Sequence, residues 1–203
     1  PEHLVSLDEY LEHLKPDQKK IYYILGDDDR SVTHSPHLDV FRHSGVDVLL
    51  MTDPLDSFVL LALSQYKEHN LANAAAEKPD FAPQEQPGEE SHAEPLPQEA
   101  QTILVERFKR VLGERVSDVR ITDRLIDSPA RLIDKEGSPN QEVQRVYRML
   151  QREFETPQKL LEINPRHPLL KKLGEQPESE TSSMIIEQIY ENALLLEALH
   201  PDP

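Results

Sequence analysis

The chain has 203 residues, of which 38 are acidic and 22 are Lys or Arg, and its formal net charge is −16 at pH 7. This charge argues against nucleic acid and anionic membrane as main partners, because phosphate-rich surfaces attract basic protein faces. No apolar run approaches the length of a membrane span, and there is no cysteine for disulfides, thiolate metal sites or thiol nucleophiles. We expect a protein of the cytoplasm, with enough apolar residues for one large domain or two modest ones.

The first part of the chain, residues 1–64, predicts helices and strands in alternation. In order, the predicted elements are a helix over 7–14 with a capping box of Ser6 and Glu9, a strand over 19–25, a helix from Ser35 to Gly45, a strand over 46–51 and a helix from Asp53 to Leu63. This alternation favours a small parallel sheet with right-handed crossovers.

Residues 45–58, GVDVLLMTDPLDSF, are the most informative stretch. The strand at 46–51 is almost uninterruptedly apolar, which is typical of a strand that is buried on both faces. Asp53 is expected to cap the helix that follows, with Pro54 at its first position, where no backbone N–H is missed.

A change of composition marks residues 77–100, which contain five prolines, seven acidic residues and one lysine. So little apolar surface predicts a disordered or loosely held linker. The preceding residues, 70–76, fit either a short edge strand or the end of a helix.

Regular structure is predicted again from residue 101. The predicted elements are a helix over 102–112, strands over 116–125 and 130–133 that pair with each other, a helix from Gly137 to Phe154, a strand over 160–163, a short helix over 167–173 and a long helix over 182–199.

One continuous apolar stripe runs along the helix that ends near Phe154. Its members, at i, i+3, i+4, i+7 and i+11, are Val143, Val146, Tyr147, Leu150 and Phe154. The stripe fits packing against its own domain, and the alternative is an exposed surface that binds a partner.

The last predicted helix carries more apolar side chains than one face needs, which indicates burial on two sides. These residues are Ile185, Ile186, Ile189, Tyr190, Ala193, Leu194, Leu196 and Leu199. The helix fits either the centre of a monomer core or a seam between two copies.

Other patterns give little support to chemistry. Asp27, Asp28 and Asp29 are consecutive, and such carboxylates rarely converge on one cation, so we expect a solvated turn and no metal site. Among the nine histidines, those at 34, 37 and 43 cluster best, but the spacing is not that of a metalloprotease. There is no G-x-S-x-G element and no glycine-rich phosphate loop, so we expect no catalytic residues.

Five segments, in this order, resemble the ninety-kilodalton heat-shock chaperone family, in particular its bacterial HtpG-like members. They are SLDEYLEHLKPDQKKIYYILG at 6–26, SPHLDVFRHSGVDVLLMTDPLDSFV at 35–59, LGERVSDVRITDRLIDSPARLI at 112–133, LLEINPRHPLLKKL at 160–173 and IIEQIYENALLLEAL at 185–199. The resemblance covers most of the chain outside the linker, which departs from the more helical, charged run usual in the family.

The resemblance implies an α/β (α+β) fold in two parts. Residues 1–64 correspond to the end of the middle domain, an αβα subdomain with a short parallel sheet. Residues 65–76 are a junction, 77–100 are the linker, and 101–203 are a mixed α/β dimerisation domain with a small sheet. The chain lacks an initiator Met, and we expect it to be a piece of a longer protein.

The resemblance also implies function. The stripe from Val143 to Phe154 corresponds to an amphipathic helix that contacts unfolded clients, and the apolar residues of 185–199 correspond to the dimer seam. The chain stops before one further family helix, so homodimerisation is expected to be weakened. ATP and Mg²⁺ serve the full-length family at a site upstream of Pro1, and this piece is expected to hold no cofactor and not to be an enzyme.

Two alternatives remain from the sequence. The chain fits an acidic adaptor that binds a protein partner through the apolar stripe without a chaperone cycle. It also fits, less well, a small enzyme that uses the histidine cluster.

Overall fold

In the computed structural model, residues 5–16, 18–79, 94–150 and 158–199 are described. They form two units, each built around its own sheet. The first unit comprises the described residues up to 79, and the second comprises those from 94 onward. The expected mixed α/β class is confirmed.

The first unit folds around sheet A. Its helices are α1 (Leu7–Glu12), α2 (Asp29–Thr33), α3 (Asp39–Ser44) and α4 (Asp56–Ala62), and its strands are β1 (Lys20–Leu25), β2 (Val48–Met51), β3 (Gln65–Tyr66) and β4 (His69–Asn73). The strand order is β2-β1-β4-β3, with β1 parallel to both of its neighbours and β3 antiparallel to β4. Residues 65–73, which the sequence analysis placed in a junction, thus pair within sheet A.

Burial corrects one prediction about this sheet. The strand predicted over 46–51 was expected to be buried on both faces, but β2 is an edge strand and all four of its residues are half-buried. The central strand is β1, where Ile21 and Tyr22 are fully buried. The Tyr22 ring meets that of Phe41 edge-on at 4.9 Å, which joins α3 to the sheet.

The predicted ends of several elements are confirmed. Ser6 and Glu9 form the capping box of α1, and Gly45 ends α3 with φ at +57°, a conformation that favours glycine. Asp53 behaves differently from expectation, because α4 begins three residues later, at Asp56. Its carboxylate instead accepts a hydrogen bond from the Leu55 N–H at 2.8 Å, in the turn before the helix.

The second unit folds around sheet B. Its helices are α5 (Gln98–Leu112), α6 (Gln141–Met149), α7 (Pro168–Glu175) and α8 (Glu180–Leu196), and its strands are β5 (Asp118–Ile121), β6 (Ala130–Ile133) and β7 (Leu160–Ile163). The strand order is β5-β7-β6, with β7 parallel to β5 and antiparallel to β6. The predicted pairing of β5 with β6 is therefore wrong, because β7 lies between them.

Each unit has its own apolar core. The first core gathers residues 22–74, including Ile24, Val32 and Phe41. The second gathers residues 96–193 from α5, α7, α8 and sheet B, including Phe108 and Leu161. No described residue belongs to both cores.

Candidate functional site

Helix α6 turns its polar face toward the protein. Glu142, Gln144 and Arg145 are buried at 4%, 6% and 6% exposure. A helix of this sequence would ordinarily bury its apolar stripe. Helix α6 can bury its polar face instead because Glu142, Gln144 and Arg145 all form hydrogen bonds there. These bonds offset most of the free-energy cost of removing the polar groups from water.

Glu142 joins α6 to sheet A. Its Oε1 accepts a hydrogen bond from the Tyr23 hydroxyl at 2.6 Å and another from Nδ2 of Asn73 at 3.1 Å. Tyr23 and Asn73 are register partners on β1 and β4, so this carboxylate bridges two neighbouring strands. Burial, reinforced by the hydrogen bond to Glu142, raises the pKa of the Tyr23 phenol, which therefore remains a donor.

Arg145 fixes α6 at the carboxyl ends of β1 and β2. Its Nε lies 3.2 Å from Oδ1 of Asp27, directly beyond β1. Its guanidinium donates to the backbone carbonyls of Met51 and Thr52, at 3.4 and 3.2 Å. Arg148 lies 3.8 Å from the same Asp27 carboxylate. The aspartate triplet is thus partly engaged, since Asp28 also caps α2.

The apolar stripe of α6 faces away from this contact. Val143, Val146 and Tyr147 are half-buried, and Leu150 is 57% exposed. Phe154, the fifth predicted member, lies outside the described residues. The stripe is therefore not part of either apolar core.

A second apolar face lies on α4, which packs against α6. Leu55, Phe58 and Val59 are 66%, 43% and 48% exposed, and Ala62 continues the same face at helical spacing. The sequence analysis predicted a helix here but assigned its apolar residues no function. Their i, i+3, i+4, i+7 spacing was the available signal.

The residues predicted for a dimer seam divide into two groups on α8 and the turn that follows it. Ile186, Ile189, Tyr190 and Ala193 are buried in the second core, and Ile185 and Leu194 pack partly buried against it. Leu196 and Leu199 are half-buried. The outer face of α8 instead presents Met184 and Leu195, which are 66% and 42% exposed.

The clustered histidines do not converge. His34 contacts the Arg30 carbonyl, while Nε2 of His43 lies 2.9 Å from an Asp127 carboxylate oxygen. Nε2 of His37 lies 2.7 Å from Oε1 of Glu197, which connects the first unit to the residue after α8. Within the described ranges, no three His, Asp or Glu side chains are grouped so as to hold a metal ion.

Further polar contacts join the units. The buried Asp39 carboxylate accepts hydrogen bonds from the consecutive backbone N–H groups of residues 126–128. Arg124 donates to the carbonyls of Ala76 and Glu77, at 3.1 and 2.5 Å. We refer to these contacts, together with those of Glu142, Arg145 and His37, as the polar joint.

None of the helices that the structure describes combines the length and the apolar character required to cross a bilayer.

Comparison with known proteins places the chain in a family. A family model described as "Hsp90 protein" matches residues 1–200. The chaperone protein HtpG of Shewanella amazonensis is 35% identical over 193 residues, which cover 95% of this chain and 30% of the relative. HtpG of Paraburkholderia xenovorans is 36% identical over 197 residues, 97% of this chain and 30% of the relative. HtpG of Burkholderia cenocepacia is 39% identical over 170 residues, which cover 84% of this chain and 27% of the relative.

The chain thus spans about 30% of the length of these curated relatives. The family match over residues 1–200 spans both units. The chain belongs to the Hsp90 family of chaperones.

Proposed function

We propose that this chain is part of an ATP-dependent chaperone, in which it provides homodimerisation and part of the surface that binds unfolded clients. The observation that carries the client-binding role is the orientation of α6. Its polar side chains are buried against sheet A, while Val146, Tyr147 and Leu150 remain at least partly accessible.

The accessible stripe suits a binder of many sequences. Removing apolar surface from water favours a complex and is non-directional, so it does not demand one sequence from the partner. Leu150, at 57% exposure, gives the stripe an accessible and flexible side chain that can adapt to different partners.

Helix α4 extends this surface. Because α4 and α6 lie against each other, the exposed face of Leu55, Phe58 and Val59 adds a second apolar helix next to the stripe. Contiguous exposed apolar patches often mark interaction sites. An extended client segment would contact residues of both units.

Dimerisation is proposed at α8. Four of the predicted seam residues already complete the core of their own subunit, so an interface would use those that are partly accessible, Ile185, Leu194, Leu196 and Leu199. Met184 and Leu195 are three turns apart on one face and join this set. In a two-fold dimer the same face would meet its copy.

ATP and Mg²⁺ belong to the proposal for the whole protein. Among the described residues no group of metal-ligating side chains is assembled, and the six glycines of the chain are widely spaced in the sequence, unlike a glycine-rich phosphate-binding motif. We assign nucleotide binding and hydrolysis to the remainder of the longer protein and only mechanical roles to this chain. Family membership favours the chaperone over a free-standing acidic adaptor.

The test is binding of a fluorescently labelled, permanently unfolded client to the full 203-residue chain, compared with a Val146→Asp/Tyr147→Asp double variant. Val5→Asp is the matched control, because Val5 is 57% exposed and lies outside α4 and α6. We expect the parent and the control to bind and the double variant to bind at least about tenfold more weakly, with circular dichroism unchanged. Equal binding by a folded double variant would refute a client site on α6.

A further inference from the structure

The polar face of α6 occupies a crevice that α/β sheets often use for ligands. In sheet A the central strand β1 has β2 on one side and β4 on the other. The connections from β1 to β2 and from β2 on to β4 therefore run in opposite directions, which opens a crevice at the carboxyl ends of β1 and β4. Glu142 lies there, bonded to Tyr23 and Asn73.

The Tyr23–Glu142 hydrogen bond joins two buried side chains in this crevice. It is short, at 2.6 Å, and both residues are buried, at 8% and 4% exposure. Losing one partner would leave a buried polar group without its bond, and bonds to ionised groups contribute most. Within the described part of the chain, the hydrogen bonds to Oε1 of Glu142 come from the neutral donors Tyr23 and Asn73.

The opposite face of the same short helix carries the proposed client stripe. One rigid element thus has two binding faces: the polar one holds the first unit and the apolar one is available to a client. Docking of the polar face also sets α6 beside α4, so it assembles the two apolar faces into one surface.

We infer that the Tyr23–Glu142 contact is a latch whose closure positions α6 for client binding, so that client affinity and docking of the two units are thermodynamically linked. This inference rests on the proposed function and concerns its regulation. Tyr23 and Glu142 act as positioning residues that touch no client.

Linkage fixes the sign of the effects. If the docked state binds client, the apparent Kd equals the intrinsic Kd divided by the docked fraction, so a broken latch weakens binding. By reciprocity, bound client must increase the docked fraction. Both effects are measurable on the full chain.

The experiment compares client binding by the parent, Tyr23→Phe, Glu142→Gln and the double variant. Tyr66→Phe is the matched control: its hydroxyl also donates to a carboxylate, Asp8 at 2.9 Å, but on the exposed surface of the first unit. We expect Kd to rise about threefold to tenfold in each single variant, as loss of a charge-assisted bond implies. The double variant should be no weaker than the weaker single variant, because either change breaks the same contact.

Hydrogen exchange supplies a readout that does not depend on the Kd values. In the parent, saturating client should slow exchange of the α6 amides, and the latch variants should exchange faster without client. Equal Kd values for all four proteins, or additive effects in the double variant, would overturn the inference while leaving the client site intact. If the parent itself binds no client, the proposed function fails and the inference fails with it.

Discussion

Oδ2 of Asp39 lies 2.8 Å from the backbone nitrogen of Ser128, and it also accepts hydrogen bonds from the N–H groups of Ile126 and Asp127. Three successive amides that converge on one carboxylate form a concave anion site. Asp39 comes from α3 and is 1% exposed. Groups of the second unit, the N–H groups of residues 126–128 and the Ser128 hydroxyl, therefore bond to its carboxylate in place of water.

The first prediction concerns this carboxylate. Asp39→Asn should lower the free energy of unfolding by about 2 kcal/mol, because a neutral amide oxygen accepts these bonds more weakly and its NH₂ group faces other donors. Urea unfolding followed by circular dichroism measures the change. Asp47→Asn, at an exposed site, should change stability by less than about 0.5 kcal/mol; similar losses in both variants would contradict the role given to Asp39.

The second prediction concerns Gly26, which follows β1. A Cβ at this position would lie 1.9 Å from Cγ2 of Val32 on α2. Gly26→Ala should therefore destabilise the chain by about 1–3 kcal/mol through overpacking. Adding Val32→Ala removes the clashing methyl groups.

A double-mutant cycle in thermal unfolding tests this. Val32→Ala alone should destabilise, because Val32 is a buried core residue, yet the pair should be more stable than the sum of the two losses predicts. Strict additivity would show that the chain relaxes around an alanine at 26 without using the space of Val32.

The third prediction concerns pH. Burial lowers the pKa of His167 from its ordinary value of 6.5, against smaller opposing effects of the Asp39 and Asp127 carboxylates. Below pH 6.5 the unfolded state then binds more protons than the folded state, so this contribution to stability is complete above pH 6.5 and is lost as the pH falls through the lowered pKa. Nδ1 of His167 accepts the Leu169 N–H at the start of α7.

His167→Asn is the suitable variant, since asparagine caps helices but does not titrate. The difference in the free energy of unfolding between parent and variant should be constant above about pH 7.5. Between about pH 6.5 and 5 the parent should lose stability relative to the variant. Parallel stability curves over this range would contradict the prediction.

The fourth prediction concerns association. Met184→Asp/Leu195→Asp should shift the chain toward monomer in sedimentation equilibrium, because two like charges would face their copies across a two-fold interface. Val5→Asp adds one negative charge at an exposed site outside α8 and should leave association unchanged. A parent chain that is monomeric at all accessible concentrations would contradict dimerisation by this chain.

The stripe of α6 shows both the power and the limit of sequence pattern. Helical spacing predicted which residues of 143–150 share a face, and the structure agrees. Which way that face points depended on partners of the opposite face, such as Tyr23 and Thr52, about ninety to 120 residues away in the chain. No local pattern contains that information.

The sheets show the same limit. Apolar runs predicted β2 and β7 as strands, but not that β2 lies at an edge and β7 at a centre. Strand order depends on crossover geometry and competing burial, which a four-residue run does not specify. Helix α2, with five residues, was missed because it is too short to show periodicity beside the aspartate turn.

The separation of the two apolar cores has a consequence for motion. When an apolar interface opens, apolar surface becomes exposed to water, and the free-energy cost grows with the area exposed. At the polar joint, water can instead form hydrogen bonds to polar groups that separate. Buried groups such as Asp39 and Glu142 gain these bonds only after water has entered the joint. The polar joint therefore holds the two units by direction-dependent hydrogen bonds, and a change in their relative orientation must break bonds to buried groups such as Asp39 and Glu142.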